Sequence, residues 1–93
     1  MTTRGDSTFS GKAALIYGGA KGIGRGVALE FARRGTTVAV ADIDLASAQE
    51  TAALIEAAGG RAIALRCDVT RDDSVRETAV QAEIAFGQID IVM

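Results

Sequence analysis

The feature that most constrains this chain is a cluster of glycines set between an apolar run and a helical repeat. Ala13 to Ile16 is continuously apolar, and Gly18, Gly19, Gly22, Gly24 and Gly26 follow within a few residues. The pattern then changes period: Ile23, Val27 and Phe31 stand four apart, with Ala28 and Ala32 beside them. A buried strand, a tight turn and a helix that begins inside the turn make the first half of a βαβ unit. The start of such a helix exposes unpaired backbone N–H groups and carries about half a positive charge, so it attracts an anion such as a pyrophosphate. Glycine lets the backbone turn sharply and come close to that anion with no Cβ in the way.

The spacing is not the common G-x-G-x-x-G, because counting from Gly22 and Gly24 the third position is Val27. It reads Gly18-x-x-x-Gly22-x-Gly24. By itself the loop admits either a dinucleotide site or a plain strand-to-helix turn. A second apolar run, Thr37 to Ala41, ends in Asp42, 18 residues beyond Gly24. That is near the roughly 20-residue offset at which an acidic side chain meets the adenosine ribose of NAD. A carboxylate there accepts from both ribose hydroxyls and repels the 2′-phosphate of NADP. The plainer alternative is that Asp42 only starts a turn, with Asp44 capping the next helix.

Whether such a unit can be a domain turns on its size and balance. Ninety-three residues make at most one small domain, which is marginal for an open α/β sheet. The chain is 48% hydrophobic, has no proline or tryptophan, and carries a net charge of −2. These values fit a globular α/β protein rather than a disordered one. No basic patch with interleaved aromatics points to nucleic acid. The opening residues lack the apolar core of a signal peptide, and no run is long enough for a membrane span, so a cytoplasmic protein is expected. A single cysteine, Cys67, excludes an internal disulfide or a cysteine zinc cluster, and the absence of histidine excludes His-based catalysis and metal chemistry within these residues. No metal site is expected.

Taken in order, residues 1–11 read as a flexible tail, with Phe9 tacking it to the sheet edge. Residues 12–93 read as the first part of a dinucleotide-binding domain. Lys12–Tyr17 is the first strand, and the helix after the glycine loop ends near Arg33 and Arg34, where cations suit its dipole and Gly35 stops it. Thr37–Ala41 is the second strand. Asp44–Ala58 is a helix with Leu45, Ala48, Ala52 and Ile55 on its apolar face, ended by Gly59 and Gly60. Arg61–Arg66 is the third strand, and Thr70 to Asp73 resembles a capping box opening a third helix. That helix carries Val75, Ala79, Ala82 and Phe86 inward and closes at Gly87. Ile89–Met93 begins a fourth strand.

These landmarks together resemble the short-chain dehydrogenase/reductase family, whose glycine motif is Thr-Gly-x-x-x-Gly-Ile-Gly. Gly18, Gly22, Ile23 and Gly24 match it, and Tyr17 departs from it by standing where the family has threonine. The pair Asp68-Val69 after the third strand and the run FGQIDIVM match two further family motifs, the latter normally leading into Asn-Asn-Ala-Gly. The resemblance implies an α/β, Rossmann-type doubly wound parallel sheet in the order 3-2-1-4, truncated within its fourth strand. Right-handed crossovers would put the first two helices on one face and the third on the other. One helix should then leave its face largely exposed and the isolated polypeptide poorly stable.

The resemblance also implies a function: hydride transfer between NAD(H) and a small alcohol or carbonyl substrate. The cofactor-binding set it suggests is Gly18, Lys21, Gly22, Ile23 and Gly24 in the loop, Asp42 and Ile43 at the second strand, and Asp68 and Val69 at the third. Asp68 would accept from the adenine amino group, although it also reads as a helix-initiating residue with Val69 as core. A lysine at position 21 occurs in many NADP-preferring relatives, but repulsion by Asp42 at close range favours NAD. The family's catalytic serine and Tyr-x-x-x-Lys pair would lie after Met93, so no catalytic residue is assigned. Tyr17 and Lys21 have the Tyr-x-x-x-Lys spacing but fall on the loop rather than along a helix. A dimer or tetramer is what the resemblance implies. The alternative is a nucleotide-binding or structural fragment without turnover.

Overall fold

A computed structural model describes residues 9–93, so most of the segment read as a tail lies outside the described residues. Four parallel strands, β1 (Ala13–Tyr17), β2 (Thr37–Asp42), β3 (Ala62–Arg66) and β4 (Ile91–Val92), form one sheet in the order β3-β2-β1-β4. Helices α1 (Gly22–Arg33), α2 (Leu45–Ala57) and α3 (Asp72–Phe86) connect them in turn. This is the order expected from the sequence.

Alternation along the strands explains why they read as unbroken apolar runs. Ala14, Ile16, Val38, Val40 and Ala62 face a core completed by Ala28 of α1 and Ala48, Ala52 and Ile55 of α2. Leu15, Ala39, Ala41 and Cys67 face the other way, against Val75, Ala79, Ala82 and Phe86 of α3. A sheet covered on both sides has no polar face to alternate with.

Three expectations need correcting. The α3 face is not left largely open: Leu15, Ala39 and Ala41 are fully buried. Alanines on both sides of that contact let one helix approach the two central strands closely. The apolar groups still exposed there are Val80 and Ile84 on the outside of α3 and Val92 and Met93 at the sheet edge. Ile23 does not join the stripe of Val27 and Phe31; at 88% exposure it stands in the first turn of α1, clear of the sheet. Phe9 packs edge-to-face on Phe31 of α1, with ring centroids 5.3 Å apart, instead of on the sheet edge.

β4 starts after Ile89 because a side chain takes the first place in its ladder, while the Met93 backbone still bonds to Leu15 and Tyr17. Asp90 Oδ2 accepts from Ala13 N at 2.9 Å, before the backbone pairs Ala14 with Ile91 and Leu15 with Val92. Parallel register aligns Tyr17 with Ala41 and Asp42 with Arg66. The segments that leave β1, β2 and β3 therefore emerge along one edge, where ligands of open α/β sheets bind.

Candidate functional site

The glycine loop leaves β1 tied to the sheet by Gly18 N donating to Ala41 O at 2.7 Å. Two of its glycines are needed for different reasons. Gly22 has φ +57°, and a Cβ there would project into open space. Gly24 has no such freedom: a Cβ would collide with the carbonyl oxygen of Gly18 and come within 3.0 Å of Gly19 Cα. The first turn of α1 is thus pressed against the end of β1.

That first turn is also bare. Lys21 is the N-cap in extended geometry, no side chain caps the helix, and its first turn holds no acid. The other helices differ. Asp44 caps α2 by accepting from Ser47 N, and α3 starts with Asp72 and Asp73. The N–H groups and positive dipole end of α1 consequently have no acidic side chain of the helix's own first turn and no capping side chain to answer them.

Asp42 stands beside this bare end and holds two loops together. Its Oδ2 accepts from Ala20 N at 3.3 Å and its Oδ1 from Asp44 N at 3.0 Å. A carboxylate has about four lone-pair sites, so one backbone donor on each oxygen leaves capacity for further donors. Asp44 turns toward the loop: its Oδ2 meets Lys21 Nζ at 3.1 Å while also accepting from Ser47 Oγ at 2.8 Å. Hydrogen bonds from Ser47, backbone first and side chain second, then Lys21, hold the Asp44 carboxyl down at about 2.

A brace under the loop escaped the sequence reading. Ala20 O accepts from Thr51 Oγ1 at 2.9 Å and from Arg25 Nε at 2.8 Å. Arg25 Nε also reaches Thr51 Oγ1 at 2.9 Å, and its Nη2 pairs with Glu50. Thr51 is completely buried. The one hint in the sequence is a hydroxyl set next to the apolar stripe of Leu45, Ala48, Ala52 and Ile55.

At the ends of β2 and β3 a cleft of about 190 Å³ is lined by Gly18, Asp42, Ile43, Cys67, Asp68, Val69 and Thr70. Five of the sequence-assigned residues thus meet around one space. Ile43 and Val69, apolar yet 55% and 59% exposed, flank it. Lys21, Gly22, Ile23 and Gly24 lie outside this lining, at the start of α1. Thr70 does not cap α3. Its N–H and Oγ1 both return to Asp68 Oδ1, at 3.0 and 2.6 Å, and Arg71 occupies the N-cap instead. Those two bonds, side chain first, lower the Asp68 carboxyl. A larger cleft of about 540 Å³ lies between Ala32 and Arg61, where β2 and β3 begin, away from the edge that binds ligands in this architecture.

Tyr17 and Lys21 diverge. The Tyr17 hydroxyl donates to Val75 O of α3 at 3.1 Å, while Lys21 reaches α2 on the other side of the sheet. Burial, and then Cys67, raise the Tyr17 phenol above its usual value. Cys67 is itself buried and accepts from Ser74 Oγ at 3.8 Å. Among the described residues no helix is long and apolar enough to cross a membrane.

The chain is similar to known proteins over nearly its whole length. A family model described as short chain dehydrogenase matches residues 12–93. An uncharacterized oxidoreductase of Bacillus subtilis is 43% identical over 90 residues, 95% of this chain and 13% of that protein. A hydroxynaphthalene reductase of Aspergillus fumigatus is 44% identical over 85 residues, 90% of this chain and 31% of that protein. The crystal structure of a short-chain type dehydrogenase/reductase from Mycobacterium marinum superposes with a TM-score of 0.90 at 42% identity, over 99% of this chain and 37% of that one. The chain therefore spans about a third or less of the length of these relatives.

Proposed function

The chain belongs to the short-chain dehydrogenase family, and from that premise we propose that it is the NAD-binding part of an oxidoreductase acting on an alcohol or carbonyl compound. The observation that carries the reading is Asp42: a carboxylate with spare acceptor capacity, fixed by Ala20 N and Asp44 N beside an uncapped helix start. The residues present suit a dinucleotide. The open space before Gly22 gives a pyrophosphate close access to the N–H groups of the first turn of α1. Asp42 would accept from the ribose hydroxyls, and Asp68 from the adenine amino group. Exposed Ile43 and Val69 would lie against the adenine faces, which accounts for apolar side chains left in solvent. When bound, NAD supplies the hydride acceptor or donor.

The residues that hold the substrate and move its proton come, in this reading, from the part of the relatives' length that this chain does not cover. In this reading the enzyme works in the cytoplasm on a small molecule, as a homo-oligomer of two or four chains.

The test is titration of the full chain with NAD and NADP, comparing wild type with Asp42→Ala and Asp42→Asn. Removing hydrogen bonds to a charged group should weaken NAD binding by roughly ten- to a hundredfold. NADP should lose less, so that discrimination relaxes in both variants. Unchanged selectivity in both would sink the assignment.

A further inference from the structure

We propose that Asp44 is a selectivity residue of this site, acting by holding Lys21 in an ion pair that denies the lysine to a 2′-phosphate. The proposal rests on the nucleotide reading above and adds to it a residue outside the cofactor-contacting set. Lys21 is the cation of the glycine loop, and its ammonium lies 3.1 Å from Asp44 Oδ2. Free, it would be the natural partner for an extra phosphate at the end of β2, a role for which this architecture uses a nearby basic side chain.

Asp44 can keep the lysine because it is itself anchored. Ser47 N donates to its Oδ1 at 3.1 Å and Ser47 Oγ to its Oδ2 at 2.8 Å. The aspartate is therefore fixed at the start of α2, and the flexible lysine comes to it. The pair adjoins the proposed ribose acceptor directly, since Asp44 N donates to Asp42 Oδ1. With the pair formed, the charge left facing the ribose is the negative one on Asp42. With Asp44 neutral, Lys21 offsets Asp42 and the barrier to a 2′-phosphate falls. The pair is too exposed, at 67% and 39% of its side chains, to matter much for stability, so selectivity is the property it can influence.

Asp44→Asn separates this role from capping, because asparagine caps a helix as well as aspartate does. Dissociation constants for NAD and NADP would be measured by calorimetry on the full chain. We expect the ratio Kd(NADP)/Kd(NAD) to fall roughly five- to tenfold in Asp44→Asn, as for one unit charge added at short range through water. Adding Lys21→Met should restore the ratio. A purely structural Asp44 would shift both constants together and leave the ratio where it was, overturning the proposal. A ratio that stays low in the double variant would overturn it too, since Asp44 would then repel the phosphate without the lysine. Failure of the wild type to bind either nucleotide would remove the underlying reading along with this one, whereas normal NAD binding with an unmoved ratio would remove this one alone.

Discussion

Replacing Thr51 by valine tests whether the brace under the glycine loop carries structural weight. Valine has nearly the shape of threonine, so the change deletes a hydroxyl without opening a cavity in the fully buried site. Two hydrogen bonds go: the one donated to Ala20 O at 2.9 Å and the one accepted from Arg25 Nε at 2.9 Å. Neither partner is orphaned, because Arg25 Nε still reaches Ala20 O at 2.8 Å. A neutral bond contributes about 1 kcal/mol and one to a charged group about 1.5–3 kcal/mol, and the shared Arg25 proton puts the second at the low end. The expected loss is about 2.5 kcal/mol, or roughly seventyfold in the folding equilibrium. In urea unfolding this lowers the midpoint by about 1 M at an unchanged slope. Thr51→Ser keeps the hydroxyl and gives up only a methyl group, about 0.8 kcal/mol. If valine were no worse than serine, the brace would be incidental and the loop would owe its order to the glycines and Asp42 alone.

Two further outcomes follow from the same geometry. Gly24→Ala drives a methyl group onto the Gly18 carbonyl, and overpacking against backbone should cost about 1–3 kcal/mol, read from the urea midpoint; a fully stable variant would contradict the close approach of α1 to β1. Asp44 has a carboxyl lowered from 3.8 to about 2, so its ionised form stabilises the fold above its ordinary value and that contribution disappears as pH falls through about 2. Because the pair is exposed and asparagine caps as well, the midpoint difference between wild type and Asp44→Asn should be small above about pH 4 and vanish between about pH 4 and 2, and a difference that persists at the bottom of that range would contradict the assignment.

The parts of this molecule written in local pattern were legible. A change between unbroken apolar runs and helical spacing, with glycine after β1, α1 and α2, placed β1, α1, β2 and α2, and Asp42 was singled out by its offset to Gly24. What stayed hidden depends on residues distant in sequence or on competition between nearby bonds. Arg25 meets Thr51 from 26 positions away, and no periodicity announces such a contact. Thr70 has the composition of a cap, but Asp68 Oδ1 claims both its N–H and its hydroxyl. Ile23 fits the spacing of a core stripe, yet in the first turn of α1 it is 88% exposed and the stripe begins at Val27. From the sequence one helix looked unable to cover its face, yet the small side chains of Ala39, Ala41, Ala79 and Ala82 let α3 pack against Leu15 and the centre of the sheet.

Asp42 joins two tasks in one side chain. Its oxygens fix the backbone of Ala20 and of Asp44, and in the proposed function the same oxygens would accept from a ribose. Changing residue 42 to alter what is recognised therefore also loosens the frame in which recognition happens. Lys21 and Asp44, exposed and joined by an ion pair, can be altered while Asp42 keeps the loops in place. If the proposed function holds, redesign of cofactor preference in this protein is better begun one side chain away from Asp42.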